Sequence, residues 1–235
     1  MTVKEIMTQL EALGSQQIKN ILLKHGVKEP FFGVRVGDMK PIQKKIKKDY
    51  QLARDLYATG NADAMYLAGL IADDAKMTKK DLQGWVKNAV SSNINEYTVP
   101  WVAAEGQYGY ELAMEWIDSK EPHIAAAGWS TLANLASLKP DSELDLASFK
   151  ALLGRVEKNI HTAPDRVRYR MNNFVISIGS YVLPLTQEAI AAAKNIGEVS
   201  VNMNGTSCTV PGAIDYIKKA KDKGSLGKKK KTVKC

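Results

Sequence analysis

The run His161-Thr-Ala-Pro-Asp-Arg-Val-Arg-Tyr-Arg-Met-Asn-Asn-Phe-Val-Ile-Ser-Ile-Gly-Ser-Tyr-Val182 holds the densest set of residues able to recognise an anion. Pro164 and Asp165 stand where a helix begins, and Arg166, Arg168 and Arg170 fill its first turns. Arg166 and Arg170, at i and i+4, share one face. Tyr169, Asn172 and Asn173 add hydrogen-bonding tips. Guanidinium forks match phosphate oxygens, so this end of the helix is a candidate phosphate site in which exposed Arg166 and Arg170 lead. The remainder, with Phe174, Val175, Ile176, Ile178 and Tyr181, is apolar enough for a core. The bland alternative is a core helix whose arginines are merely solvated.

Two further stretches mix residue types in ways that connectors seldom do. Asn93-Ile-Asn95-Glu96-Tyr97-Thr98-Val99-Pro100-Trp101 brings amide, acidic and aromatic side chains together between two helices. Of the four tryptophans, Trp101 is the one expected to be exposed, because it adjoins this polar connector. Phe31-Phe32-Gly33-Val34-Arg35-Val36-Gly37-Asp38-Met39-Lys40-Pro41 leads into a lysine-rich helix bearing Lys40, Lys44, Lys45, Lys47 and Lys48. Gly33 and Gly37 permit close backbone approach, and a helix start offers N–H groups to an anion. The loop lacks the Gly-Lys-Ser/Thr ending of a P-loop. No Ser–His–Asp or Cys–His set is defined by spacing. Glu96 and Glu105 are the carboxylates best placed to work in a cleft.

The charge is unevenly distributed. From Lys218 onward there are nine lysines and one acid, Asp222, a net of +8 that equals the value for all 235 residues. The 33 basic and 25 acidic residues therefore leave 24 of each in residues 1–217. A balanced body carries a basic C-terminus, whose Gly224, Ser225 and Gly227 suggest a flexible tail over 225–235. Such a tail adds phosphate affinity that weakens with salt, or serves only solubility. Cys208 and Cys235 are too few for a disulfide scaffold and are not spaced for zinc, and His25, His123 and His161 form no cluster. No cofactor and no metal are expected. With no run of 18 apolar residues and no signal-peptide core at Met1, the expected setting is cytoplasmic, away from membranes.

The elements that must position these residues are helices. Leu82, Trp85, Val86, Ala89 and Val90 keep a helical stripe after a Thr78-x-x-Asp81 start signal. Further stripes run through Ile18, Ile21 and Leu22, ending at His25-Gly26; Ala64, Leu67, Ala68 and Ile71; Tyr110, Ala113, Met114 and Ile117; Ile124, Gly128, Thr131, Leu132 and Leu135; and Phe149, Leu152, Leu153 and Val156. Helix pairs recur about every 35 to 40 residues, the period of HEAT and armadillo arrays. A compact bundle has the same periodicity. One exception is expected: Val199, Val201 and Met203, then Asn204-Gly205, then Thr206, Cys208 and Val210 alternate as a β-hairpin over about 198–210.

The order of features resembles the AlkC/AlkD-type DNA alkylation repair proteins. The resemblance rests on Phe32-Gly33-Val34-Arg35 before a basic helix, the connector ending Val99-Pro100-Trp101, and the Arg-Val-Arg-Tyr-Arg-Met-Asn-Asn-Phe helix. It is diffuse over residues 15–195 and strongest in that last helix. It implies a HEAT-like solenoid whose concave basic face holds duplex DNA, and a glycosylase releasing N3- and N7-alkylated purines. The family's chemistry uses a catalytic aspartate flanked by tryptophans, with a phosphate-binding arginine nearby. Here that aspartate falls at or beside Pro100, one tryptophan at or beside Glu96 with Tyr97 the nearest aromatic, the arginine near Ala126, and the last tryptophan at Phe174.

The resulting expectation is an all-α, HEAT/armadillo-like single domain over residues 1–224 that binds double-stranded DNA through its phosphates as a monomer. Arg35, Lys44, Tyr97, Trp101, Arg166, Arg168, Arg170, Asn173 and Phe174 are the expected DNA-contacting residues. Glu96 is the one candidate left for catalysis, since cleavage of a cationic purine's N-glycosidic bond builds positive charge that a carboxylate stabilises. A non-enzymatic helical scaffold binding a protein partner is the competing reading.

Overall fold

Helix starts in this chain are written into its short polar residues. Thr2 and Thr78 each accept the N–H three residues on, while Glu5 and Asp81 reach back to the cap N–H groups. Asp49, Asn61 and Asp145 cap three more helices through their side-chain oxygens. The computed structural model of the protein describes residues 1–202 and 209–234, and these divide into two compact units. The first comprises residues 1–108 with Lys234; the second comprises 109–202 with 209–233.

The first unit holds α1 (Val3–Leu13), α2 (Gln16–Lys24), α3 (Val36–Ile46), α4 (Tyr50–Ala58), α5 (Ala62–Ile71), α6 (Lys79–Lys87) and α7 (Val99–Glu105). Its centre is α5, buried along nearly its whole length through Ala64, Met65, Leu67, Ala68, Leu70 and Ile71. Burial on every side is what an apolar helix without a polar face requires. Tyr57 of α4 stacks on Trp85 of α6, ring centroids 4.1 Å apart, and its hydroxyl donates to the Trp85 carbonyl at 2.6 Å.

The second unit holds α8 (Gly109–Trp116), α9 (Pro122–Leu138), α10 (Leu146–Asn159), α11 (Asp165–Tyr181), α12 (Thr186–Ile196) and α13 (Ala213–Asp222). The 17-residue α9 and α11 form its most extensive packing pair. Trp129, Phe149 and Phe174, all fully buried, meet between α9, α10 and α11. Gly179 of α11 leaves a socket for Ile217 of α13: a Cβ there would lie 2.7 Å from the Ile217 Cγ1.

Among the described residues there is no β-strand, which overturns the expected hairpin at 198–202 and 209–210. Its Asn204-Gly205 turn lies outside the described residues. The reason is visible in the flanks. The Ser200 carbonyl accepts from Arg168 Nη1 at 2.7 Å and the Pro211 carbonyl from Asn172 Nδ2 at 2.8 Å. One α11 side chain thus takes the Ser200 carbonyl within the expected strand, another anchors the chain just past it at Pro211, and a cavity of about 320 Å³ lies between Val199–Val201 and Thr209–Pro211. Paired strands run only about 4.8 Å apart.

The C-terminal segment is docked rather than trailing. The Gly227 N–H donates to the Ser180 carbonyl at 2.8 Å and the Lys230 N–H to the Ser137 carbonyl at 2.8 Å. Lys229 Nζ reaches the Ala136 carbonyl and Asp141, each at 2.8 Å. These carbonyls end α9 and α11, where helices leave acceptors unsatisfied and the macrodipole is negative. In the first unit, Lys234 pairs with Asp74 at 2.6 Å.

Candidate nucleic-acid interface

At the start of α11, Pro164 precedes the first helical turn and Asp165 lies within it. The α-helical spacing then brings Arg166 and Arg170 to the same neighbour, Tyr169. The Arg166 Cζ lies 4.9 Å and the Arg170 Cζ 5.2 Å from the Tyr169 ring centroid. Two guanidinium groups share one electron-rich ring, an arrangement that holds both cations close together. A pair of planar forks at one helix end suits an anion with several oxygens, such as a phosphodiester. Arg166 is half-buried; Arg170 is only 5% exposed, against the expectation of a fully solvated side chain, and its guanidinium Nη2 is itself buried.

Two other residues of this helix have different tasks from those expected. Arg168 is an internal clamp: its guanidinium donates to the carbonyls of Ser200 at 2.7 Å, Ala163 at 2.9 Å and His161 at 3.2 Å. These bonds satisfy donors that a phosphate would need. Phe174 is fully buried against Trp129, so it is core and not a DNA-facing ring. Asn173 is half-buried beside them on the helix. The role of Asn172, which ties down Pro211, was missed; a buried amide following an arginine run carries no sequence signal for its partner.

In the first unit, the mixed connector is a five-residue π-helical turn, Ile94–Thr98, running directly into α7. Such turns insert an extra residue into a helix and are frequent at functional sites. Gly69 of α5 admits the Thr98 side chain, which seats the turn on the buried helix. Tyr97 is the member that reaches solvent, at 39% exposure. Glu96 points into the unit and is 2% exposed. Trp101, expected at the surface, is instead buried at 4% exposure, edge-on to Tyr66 with centroids 5.4 Å apart and 6.0 Å from Tyr97. Pro100 occupies the first turn of α7, where its fixed φ suits the helix.

The loop before α3 is a packing corner. Asp63, in the first turn of α5, accepts the N–H groups of Phe32 at 2.6 Å, Gly33 at 2.9 Å and Val34 at 3.2 Å. An internal carboxylate therefore fills the anion position that the loop's N–H groups offer. Burial pushes the Asp63 carboxyl above its usual range, and the three N–H bonds offset part of that rise. Gly33 adopts φ +82° against the backbone of α2, a conformation disfavoured for residues with a Cβ. Gly37 has open space around it. Arg35 and Lys44, at the two ends of α3, are exposed, as are Lys40 and Lys45. Lys48 is paired with Asp74 at 3.1 Å, and that hydrogen bond raises its pKa.

Among the described residues no group of three or more His, Cys, Asp or Glu is placed to share a metal ion, and no single helix is long and apolar enough to cross a membrane.

The all-helical fold, with an arginine cluster at the start of α11, is that of a HEAT-like helical protein. The chain belongs to the DNA alkylation repair enzyme family, whose model matches residues 6–217. It is 31% identical to an uncharacterized protein of Listeria innocua, Lin0241, over 94% of this chain and 98% of that one. An uncharacterized protein of Listeria monocytogenes, Lmo0209, is 30% identical with the same coverage. A solved structure matches with TM-score 0.92 and 37% identity over the whole of both chains. That structure is described as representing a new family of proteins related to the HEAT-like repeat DNA glycosylases, with affinity for branched DNA structures.

Proposed function

We propose that this protein binds DNA through its sugar–phosphate backbone, prefers branched DNA to a linear duplex, and has lost efficient excision of alkylated purines. The observation that carries the reading is the solved relative, with its described affinity for branched DNA, matched along the full length of both chains. The Arg166–Tyr169–Arg170 cluster supplies a phosphate-binding centre in the second unit. In the first unit, exposed Arg35, Lys44 and Tyr97 are the side chains assigned to DNA, with Asn173 of α11 as a further contact. The protein acts as a monomer in the cytoplasm.

The resemblance puts Pro100 at or beside the family's catalytic aspartate, and proline has no charge with which to stabilise an oxocarbenium-like sugar. Glu96 is the carboxylate nearest in sequence, and its burial supports a role inside the π-helical turn rather than against a sugar. Fluorescence anisotropy with a four-way junction, a linear duplex of equal length per strand, and single-stranded DNA tests the reading. The expected order is junction first, with affinity falling steeply as salt rises from about 50 to 200 mM. Equal affinity for all three, or binding indifferent to salt, would refute it.

A further inference from the structure

The net positive charge of this protein arises in a segment that the structure shows to be built rather than loose. Helix α13 is seated by Ile217 in the Gly179 socket of α11. Beyond it the chain turns at Gly224 and Gly227, both at positive φ, and is strapped across the ends of α9 and α11. Lys229 faces inward, held by Asp141 and the Ala136 carbonyl. Lys230 caps the Tyr181 ring at 5.4 Å. Lys218, Lys219, Lys221, Lys223, Lys228 and Lys231 all point to solvent, and among the described residues none has an acidic partner within ion-pair distance.

Six outward lysines on a fixed frame are more than solubility requires of a body whose own charge is balanced. Their frame lies at the far end of α11 from the arginine cluster: 15 residues separate Arg166 from Tyr181, about 22 Å at the α-helical rise. The two cationic surfaces are thus separate sites on one helix axis.

We propose that α13 and the C-terminal strap form a second, preordered phosphate-binding surface that takes the backbone of a second duplex arm when branched DNA is bound. This rests on the proposed DNA-binding function and extends it to the origin of branch preference. A linear duplex engages the arginine end of α11 and the other side chains assigned above without reaching the lysines, whereas a junction presents another arm to them. Because the strap is already ordered, it engages that arm without the ordering cost that a disordered tail incurs. By counterion release, each phosphate contact at about 0.1 M salt is worth close to one order of magnitude in affinity.

The test replaces Lys218, Lys219, Lys221, Lys223, Lys228 and Lys231 together by Gln in the full-length protein, leaving Lys229, Lys230 and Lys234 in place. A companion variant replaces the same six by Arg. Anisotropy titrations use a labelled four-way junction and a linear duplex across a salt series, with thermal unfolding as the check on folding. The expected result is a loss of roughly tenfold or more on the junction, a salt slope flattened by about 0.9 for each phosphate no longer engaged, and a much smaller change on the linear duplex. The Arg variant should retain junction affinity at an unchanged thermal midpoint. Equal losses on both DNAs would overturn the second-arm assignment, as would undiminished junction binding by the Gln variant. Failure of the unmodified protein to bind the junction at low salt would instead overturn the DNA-binding function itself, and the second arm with it.

Discussion

Phe174 meets Trp129 edge to face, ring centroids 5.2 Å apart and planes inclined by 64°. Phe149 completes the cluster at 6.0 Å from Phe174, so the ring at the end of the arginine-rich run is the keystone of the second unit's core. Phe174→Ala should therefore destabilise the protein by ~3–5 kcal/mol, measured by urea denaturation. An unchanged urea midpoint would mean that the ring is not packed as described.

Arg166 and Arg170 share Tyr169 but differ in burial, and their alanine variants should separate accordingly. Arg166→Ala should weaken DNA binding while costing about 1 kcal/mol of stability, the scale of one partly exposed cation–π contact. Arg170→Ala should weaken binding and also lower the thermal midpoint clearly, because a buried side chain is removed with the charge. Matched affinities for wild type and both variants on linear duplex would detach this cluster from DNA.

The loop before α3 should report pH through Asp63. Its folded-state pKa is raised above the ordinary 3.8, chiefly by burial. Such a group contributes stability that is fully present below the unfolded-state value and is lost as pH rises through the folded-state value. Urea midpoints of wild type and Asp63→Asn, compared at steps from about pH 3 to pH 7, should show the gap between them narrowing in the interval above 3.8. A carboxamide has one acceptor oxygen and an NH2 that only donates, whereas both oxygens of the neutral carboxyl can still accept from the N–H groups of Phe32, Gly33 and Val34, so the variant should be the less stable of the two at low pH. A gap that is constant or widens through that interval would contradict the argument.

Excision of N7-methylguanine or N3-methyladenine should be slow or undetectable by release assay. Glu96→Gln should leave any residual rate unchanged and should lower the thermal midpoint, since it alters a buried side chain inside the π-helical turn. Robust excision abolished by that substitution would return Glu96 to the role of charge stabiliser that the resemblance left open to it.

Gly179→Ala tests how α13 is seated. The added methyl group would press on Ile217 and come within 3.2 Å of the Ala189 Cβ, so a cost of ~1–3 kcal/mol is expected from overpacking. Hydrogen exchange should show α13 opening more readily in the variant. Unaltered exchange at residues 213–222 would mean that the socket accommodates the methyl group.

Helix identity and order were legible in the chain because they depend on local rules. Thr78 and Asp81 form the capping box their spacing announces, and His25-Gly26 ends α2 with Gly26 at φ +78°. The family was legible too, and its model matches residues 6–217. Which of those side chains face solvent was not, because facing is decided by partners remote in sequence. Arg168 is withdrawn by Ser200, 32 residues away, and Trp101 is buried by Tyr66 of α5. The alternation around 199–210 was read as a hairpin because Asn204-Gly205 favours one, but Arg168 and Asn172 take the flanking carbonyls. The basic C-terminus shows the division most plainly. Its charge and its glycines are properties of the sequence alone. Its order comes from Asp141 and from the unsatisfied carbonyls at the ends of α9 and α11, acceptors that exist only once those helices have folded and packed together.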